Sequence, residues 1–103
     1  MKILFLGDVV GVSGRSMILS SLLSEIKSKK IDFVIVNGEN AADAGVGITE
    51  AICKDFFNCG VDVITTGNHV WDQKEIMSFI EKENRLLRPK NLFEPSPGKG
   101  FGI

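Results

Sequence analysis

Thr65-Thr66-Gly67-Asn68-His69-Val70-Trp71-Asp72 is the stretch on which the reading of this chain turns. The apolar run Val61 to Thr66 leads into it and reads as a buried strand. The run breaks at Gly67, and the next two residues set an amide beside the chain's single imidazole, His69. Asp72 then reads as a helix N-cap. A strand that stops at Gly-Asn-His and resumes as a helix puts two potential ligand contacts at its C-terminal end, where open α/β sheets bind their ligands.

Two earlier stretches repeat this layout. Ile3-Leu4-Phe5-Leu6 is a short run, apolar on both faces, as suits a strand covered on both sides. It ends in Gly7-Asp8 and opens a glycine-punctuated loop. Phe33-Val34-Ile35-Val36 is equally apolar and ends in Asn37-Gly38-Glu39-Asn40. Between the strands the apolar period changes to that of a helix. From about Arg15 to Lys29, Ile18, Leu19, Leu22, Leu23 and Ile26 share one helical face, with Ser13 as the expected N-cap. Thr49 caps a second helix carrying Ile48, Ile52, Phe56 and Phe57, and Gly60 fits the residue just past its end. A third helix begins at Asp72 and holds Ile76, Met77 and Ile80. Arg85 to Arg88 fits a short fourth strand ended by Pro89, and Phe101-Gly102-Ile103 reads as the start of another.

The order βαβαβα predicts an α/β fold: one parallel sheet with flanking helices on both faces. The 103 residues suit a single domain, and an apolar content of 44% is enough to bury a core. A net charge of −1 gives no reason to expect nucleic acid or an anionic membrane as partner. No apolar run approaches the roughly 18 residues of a membrane span. Cys53 and Cys59, placed on one helix, point about 240° apart at 100° per residue and cannot pair. They read as small buried hydrophobes in a reducing cytoplasm.

In a parallel sheet the three strand ends lie along one rim. That rim then carries Asp8, Glu39, Asn40, Asn68 and His69. Carboxylates are hard anionic ligands that can bridge two cations, Asn offers a neutral carbonyl oxygen, and His offers nitrogen to Zn, Mn or Fe. Two cations about 3.5–4 Å apart can activate a water and hold both oxygens of an in-line phosphoryl displacement. Each residue also has a plainer role: turn cap for Asp8, exposed loop for Glu39-Asn40, αL turn residue for Asn68, structural imidazole for His69. Their recurrence at three consecutive strand ends favours a site. Other nucleotide motifs fit poorly. Gly7, Gly11 and Gly14 are spaced too widely for the dinucleotide fingerprint, and Asp8 would repel a pyrophosphate. No Gly-Lys-Ser/Thr follows, so a P-loop is excluded, and Val10 stands where a haloacid-dehalogenase-like site needs a second Asp.

Gly7-Asp8-Val9-Val10-Gly11, Gly38-Glu39-Asn40 and Gly67-Asn68-His69-Val70-Trp71-Asp72 together resemble the calcineurin-like metallophosphoesterase superfamily. Within it they are similar to the YmdB-type branch of bacterial di-metal phosphodiesterases acting on cyclic nucleotides, and the likeness runs along the whole chain. Val10 replaces the His of the general first motif, as in that branch, and Glu39 stands where most of the superfamily has Asp. The resemblance implies an α/β sandwich and two divalent or trivalent metal ions, Fe, Mn or Zn. It implies that Asp8 and Asn40 bind the first metal, Glu39 bridges both and Asn68 binds the second. His69 would protonate the leaving alkoxide, and a metal-bound hydroxide would be the nucleophile.

Asp8, Glu39, Asn40 and Asn68 supply about five metal bonds, whereas two cations want about eight to twelve. The chain therefore reads as the N-terminal half of such an enzyme, marginally stable or self-associating alone. Two rival readings stand beside it. One is a non-catalytic remnant or interaction module that pairs with a C-terminal partner chain. The other is a metal-free nucleotide-binding α/β domain using the first glycine loop.

Overall fold

The computed structural model describes residues 1–103. Four parallel strands, β1 (Ile3–Leu6), β2 (Phe33–Asn37), β3 (Val63–Thr65) and β4 (Leu86–Leu87), lie side by side in chain order. The register pairs Leu6 with Val36 and Asn37 with Thr65, so the C-terminal ends of the first three strands form one continuous rim. Between the strands run α1 (Gly11–Lys29), α2 (Glu50–Asn58) and the short α3 (Ile76–Ile80).

The expected layering holds on one side only. Val34, Val36, Ile64 and Leu86 are fully buried, in a single core with Ile18 and Leu22 of α1, Ile52 and Phe56 of α2, and Ile76 and Ile80 of α3. The alternate strand residues point the other way. There Ile3 and Phe5 are 58% and 60% exposed, and Phe33, Ile35, Val63 and Leu87 are half-buried. All three helices thus serve one face, and the opposite face of the sheet is open. The runs are apolar on both faces, as a doubly covered strand requires, but no element among these 103 residues lies over the second face.

Local signals met their expectations unevenly. Thr49 caps α2, its hydroxyl accepting from the Ile52 N–H at 3.3 Å, and Gly60 sits past the helix end at φ +111°. Cys53 and Cys59 are both free and buried. α1 starts at Gly11, with Val10 as its N-cap, so Ser13 lies inside the helix and caps nothing. The reason is tertiary: Val10 pairs with Asn40 in an isolated bridge, and the Gly11 N–H donates to the Asn40 carbonyl at 2.9 Å, which fixes where the helix begins. The buried stripe of α1 is also narrower than its sequence suggests, since Leu19 and Leu23 are 42% and 54% exposed.

Asp72 does not cap the third helix either. Residues 70 to 75 form turns, and α3 begins only after Glu75, because the Asp72 carboxylate is engaged by His69. β3 begins at Val63, two residues later than the apolar run, as Val61 belongs to the turn after α2, donating to the Phe56 carbonyl. Phe101–Ile103 forms no strand. The sheet is instead extended by Lys99, which bridges Leu87, while Arg88 N–H donates to the Lys99 carbonyl.

Candidate metal centre at the strand-end rim

The central strand of the rim connects its two neighbours. Glu39 and Asn40 follow β2 and reach in opposite directions. Asn40 Nδ2 donates to Asp8 Oδ2 at 2.9 Å, tying the second strand end to the first. With its nitrogen committed there, the amide turns Oδ1 inward, where it is buried without any hydrogen-bond partner. A buried carbonyl oxygen left unpaired costs about 1–3 kcal/mol. Such an orphan beside a carboxylate is an acceptor awaiting a donor or a cation.

Glu39 reaches the third strand end. Its carboxylate accepts, at long range, from the His69 N–H (3.4 Å) and from Asn37 Nδ2 (3.5 Å). Its Oε2 and Cδ atoms lie 2.5 Å from where a Cβ on Gly67 would stand. Gly67 is therefore required for close approach: any side chain there would displace the acid. Glu39 is half-buried and Asp8 is exposed.

His69 is held by a partner that its sequence reading missed. Nδ1 lies 2.8 Å from Asp72 Oδ2, with both side chains a little over one-third exposed. A carboxylate on Nδ1 favours the tautomer with the proton there and leaves Nε2 as the working nitrogen. The two residues are three apart, a spacing that suits this pair as well as it suits a helix cap at Asp72.

Two further side chains clamp the loop after Asn40. Arg15, in the first turns of α1, donates to the Ala41 carbonyl at 2.6 Å and pairs with Asp43 at 2.7 Å. Gln73, just past the third motif, donates to the Val46 carbonyl at 3.2 Å. The loop bearing Glu39 and Asn40 is thus fastened to segments following each neighbouring motif. The lone arginine at the rim end of α1 was the available sequence signal.

The structure brings Asp8, Asn40, Glu39 and the backbone of Gly67 and His69 into one chain of contacts. Asn68 stands exposed outside it. No three His, Cys, Asp or Glu side chains cluster closely enough to hold a metal. The candidate set is half amide, and its two carboxylates belong to adjacent strand ends. The orphaned Asn40 oxygen, the Asp8 carboxylate beside it and the Glu39 carboxylate nested on Gly67 are hard oxygen donors, and they fit a cation as ligands of an incomplete shell.

Comparison with known proteins shows what the chain as a whole is similar to. The family profile described as YmdB-like protein matches residues 4–103. A Bacillus subtilis protein named 2',3'-cyclic-nucleotide 2'-phosphodiesterase is 50% identical over 102 residues, covering 98% of this chain and 38% of its own length. A crystal structure from Mycoplasma pneumoniae titled a novel phosphatase superposes with a TM-score of 0.89 at 34% identity, covering 100% of this chain and 39% of that one. A Thermus thermophilus structure, titled a hypothetical protein, gives the same TM-score of 0.89 at 38% identity, covering 99% of this chain and 39% of that one. The chain spans about two-fifths of the length of these relatives.

Proposed function

The chain belongs to the YmdB-like family, and from that premise we propose that it forms the N-terminal half of the active site of a metal-dependent phosphodiesterase acting on small phosphodiesters, cyclic nucleotides among them. The observation that carries this reading is the Asn40 amide, whose nitrogen is bound to Asp8 and whose buried oxygen has no partner. The Bacillus subtilis relative's name supports the substrate class.

In this reading Asp8 and Asn40 would hold one cation, Asn68 would contribute to a second, and Glu39 would serve both. A bound metal pair, Fe, Mn or Zn, would supply positive charge for the phosphoryl oxygens and acidify a water. Asp8 and Glu39 would supply the negative charge that such a pair needs. His69, protonated on both ring nitrogens, gives the Nε2 proton to the leaving oxygen as it departs and is left as the neutral Nδ1–H form, which Asp72 holds through that transfer. Arg15 and Gln73 keep the Glu39-Asn40 loop from drifting. The remaining metal ligands come from beyond these residues, from a C-terminal portion supplied in the same polypeptide or by a partner chain.

The test is hydrolysis of bis-p-nitrophenyl phosphate with added Mn²⁺, using the 103-residue chain alone and the chain fused to the remaining length of the Bacillus subtilis relative. We expect background rates from the chain alone and metal-dependent turnover from the fusion, lost in Asp8→Ala and His69→Ala. Turnover in the fusion that survives Asp8→Ala, or that needs no metal, would refute the assignment.

A further inference from the structure

We propose that Phe93, on the loop that follows β4, stacks on the base of a nucleoside-bearing phosphodiester held at the rim. The proposal rests on the phosphodiesterase reading and assigns the part of the substrate which that reading leaves without a partner. Asp8, Glu39, Asn40, Asn68 and His69 suit cations, phosphoryl oxygens and a moving proton. A base needs a flat apolar face instead. Trp71, the large ring of the third motif, is packed against the core.

The register puts the loop after β4 on the rim. Thr65 pairs with Leu87, so two residues further on Pro89 is level with Gly67, one strand spacing of about 4.8 Å away. Thr66 Oγ1 donates to the Leu87 carbonyl at 2.6 Å, which ties the root of the loop to the strand end bearing Asn68 and His69. Phe5, Phe93 and Phe101 are the exposed phenylalanines, at 60%, 82% and 62%. Phe5 and Phe101 line the open face of the sheet, and Phe93 does not.

A single exposed apolar side chain is ordinary at a protein surface. What sets Phe93 apart is the bracing beneath it. The Arg88 guanidinium is buried, and it donates to the Pro97 carbonyl at 3.1 Å, the Pro89 carbonyl at 3.1 Å and Glu94 Oε1 at 2.9 Å. All three acceptors belong to the one loop. A buried charge is costly unless paired, so this pairing holds residues 89–97 in one shape. Leu92 packs against the core while its neighbour Phe93 faces solvent, and the Ser96 N–H donates to the Phe93 carbonyl at 2.8 Å, closing a turn there. An aromatic ring presented on a braced loop loses less freedom when a ligand binds. Every base has a π-face, so such a contact selects for a base without choosing among them.

The experiment uses the chain fused to the remaining length of the Bacillus subtilis relative and compares two substrates. One is adenosine 2',3'-cyclic phosphate; the other is methyl riboside 2',3'-cyclic phosphate, which keeps the cyclic phosphate and lacks the base. Phe93→Ala should cut the preference for the adenosine compound, taken as the ratio of kcat/KM values, roughly five- to a hundredfold, through KM. Phe93→Trp should restore it. A parental preference in Phe93→Ala, a loss shared equally by both substrates, or a loss carried by kcat overturns the proposal. So does a lowered melting temperature with the preference intact, which would place Phe93 under the C-terminal portion and away from a base. Equilibrium dialysis of the adenosine compound against the fused protein carrying Asp8→Ala separates the two readings, since Phe93→Ala should weaken that binding by a similar factor. If binding responds to Phe93 while turnover survives Asp8→Ala, the base contact stands and the phosphodiesterase reading falls. If turnover needs Asp8 and neither binding nor preference responds to Phe93, the reverse holds.

Discussion

Replacing Gly67 by alanine separates the site from the fold. An alanine Cβ there would lie 2.5 Å from Glu39 Cδ and Oε2 and closer still to Oε1, against 3.4 Å for the onset of ordinary contact, so the carboxylate must retreat by about 1.1 Å. The obstacle is the end of a flexible side chain, and Gly67 has no left-handed φ to preserve. The cost of moving Glu39 is about 0.5–1.5 kcal/mol for an off-rotamer side chain. It is offset by about 0.4–1 kcal/mol from the stiffer unfolded chain. Net stability should therefore change little. The site should change greatly, because metal–ligand distances tolerate only about 0.2 Å and a misplacement near 1 Å costs on the order of a hundredfold in rate.

Gly38→Ala is the control. Its Cβ would meet Ile48 Cδ1 at 2.8 Å and Ile64 Cγ2 at 3.1 Å, both in fully buried side chains that cannot withdraw. Overpacking there should cost about 1–3 kcal/mol of stability. The assays are urea melts of both variants, Mn²⁺ titration read by the EPR signal of free Mn²⁺, and diesterase rates in the fused enzyme. Gly67→Ala should melt like the parent, bind Mn²⁺ at least tenfold more weakly and turn over about a hundredfold more slowly. Parental Mn²⁺ affinity in Gly67→Ala, or a melt as low as that of Gly38→Ala, would refute the reasoning.

Three other outcomes are expected. Asp72→Asn lets the imidazole take either tautomer, so kcat of the fused enzyme should fall on the order of a hundredfold with KM little changed; ¹⁵N shifts of His69 report the tautomer directly, and an unaltered spectrum would remove Asp72 from its role. Phe56→Ala, at a fully buried position, should cost about 3–5 kcal/mol in a urea melt, enough to leave the chain largely unfolded. The Arg88 guanidinium, itself buried, hydrogen-bonds Glu94 at 2.9 Å and holds its carboxyl below the ordinary value of 4.5. A lowered folded pKa stabilises above the ordinary value and is lost as pH falls through the folded one. The melting difference between the parent and Glu94→Gln should therefore be present at pH 6 and close on acidification below 4.5; a difference independent of pH would count against the pair.

Much of this protein was decided by residues acting over short range. Runs such as Phe33–Val36 can satisfy their backbone and bury their side chains only as strands, and Thr49 and Gly60 mark the ends of α2 by local geometry. The alternation of strands and helices makes the sheet parallel, and parallel strands necessarily put Asp8, Glu39 and His69 at one rim. Sequence alone therefore determined the α/β class, the strand-end placement and the identity of most candidate donors.

What the tertiary structure alone decided are choices among partners distant in sequence. The start of α1 depends on Asn40, 29 residues beyond Gly11, and Asp72 could serve a helix or an imidazole until the turn at residues 70–75 delivered it to His69. Arg15 and Gln73 find the same loop from opposite sides. The open face of the sheet was equally illegible, since a strand apolar on both sides reads identically whether its second cover lies in the same 103 residues or elsewhere. Hydrophobicity is a property of the side chain, while burial is a property of its neighbours, and only the folded chain says which neighbours are there.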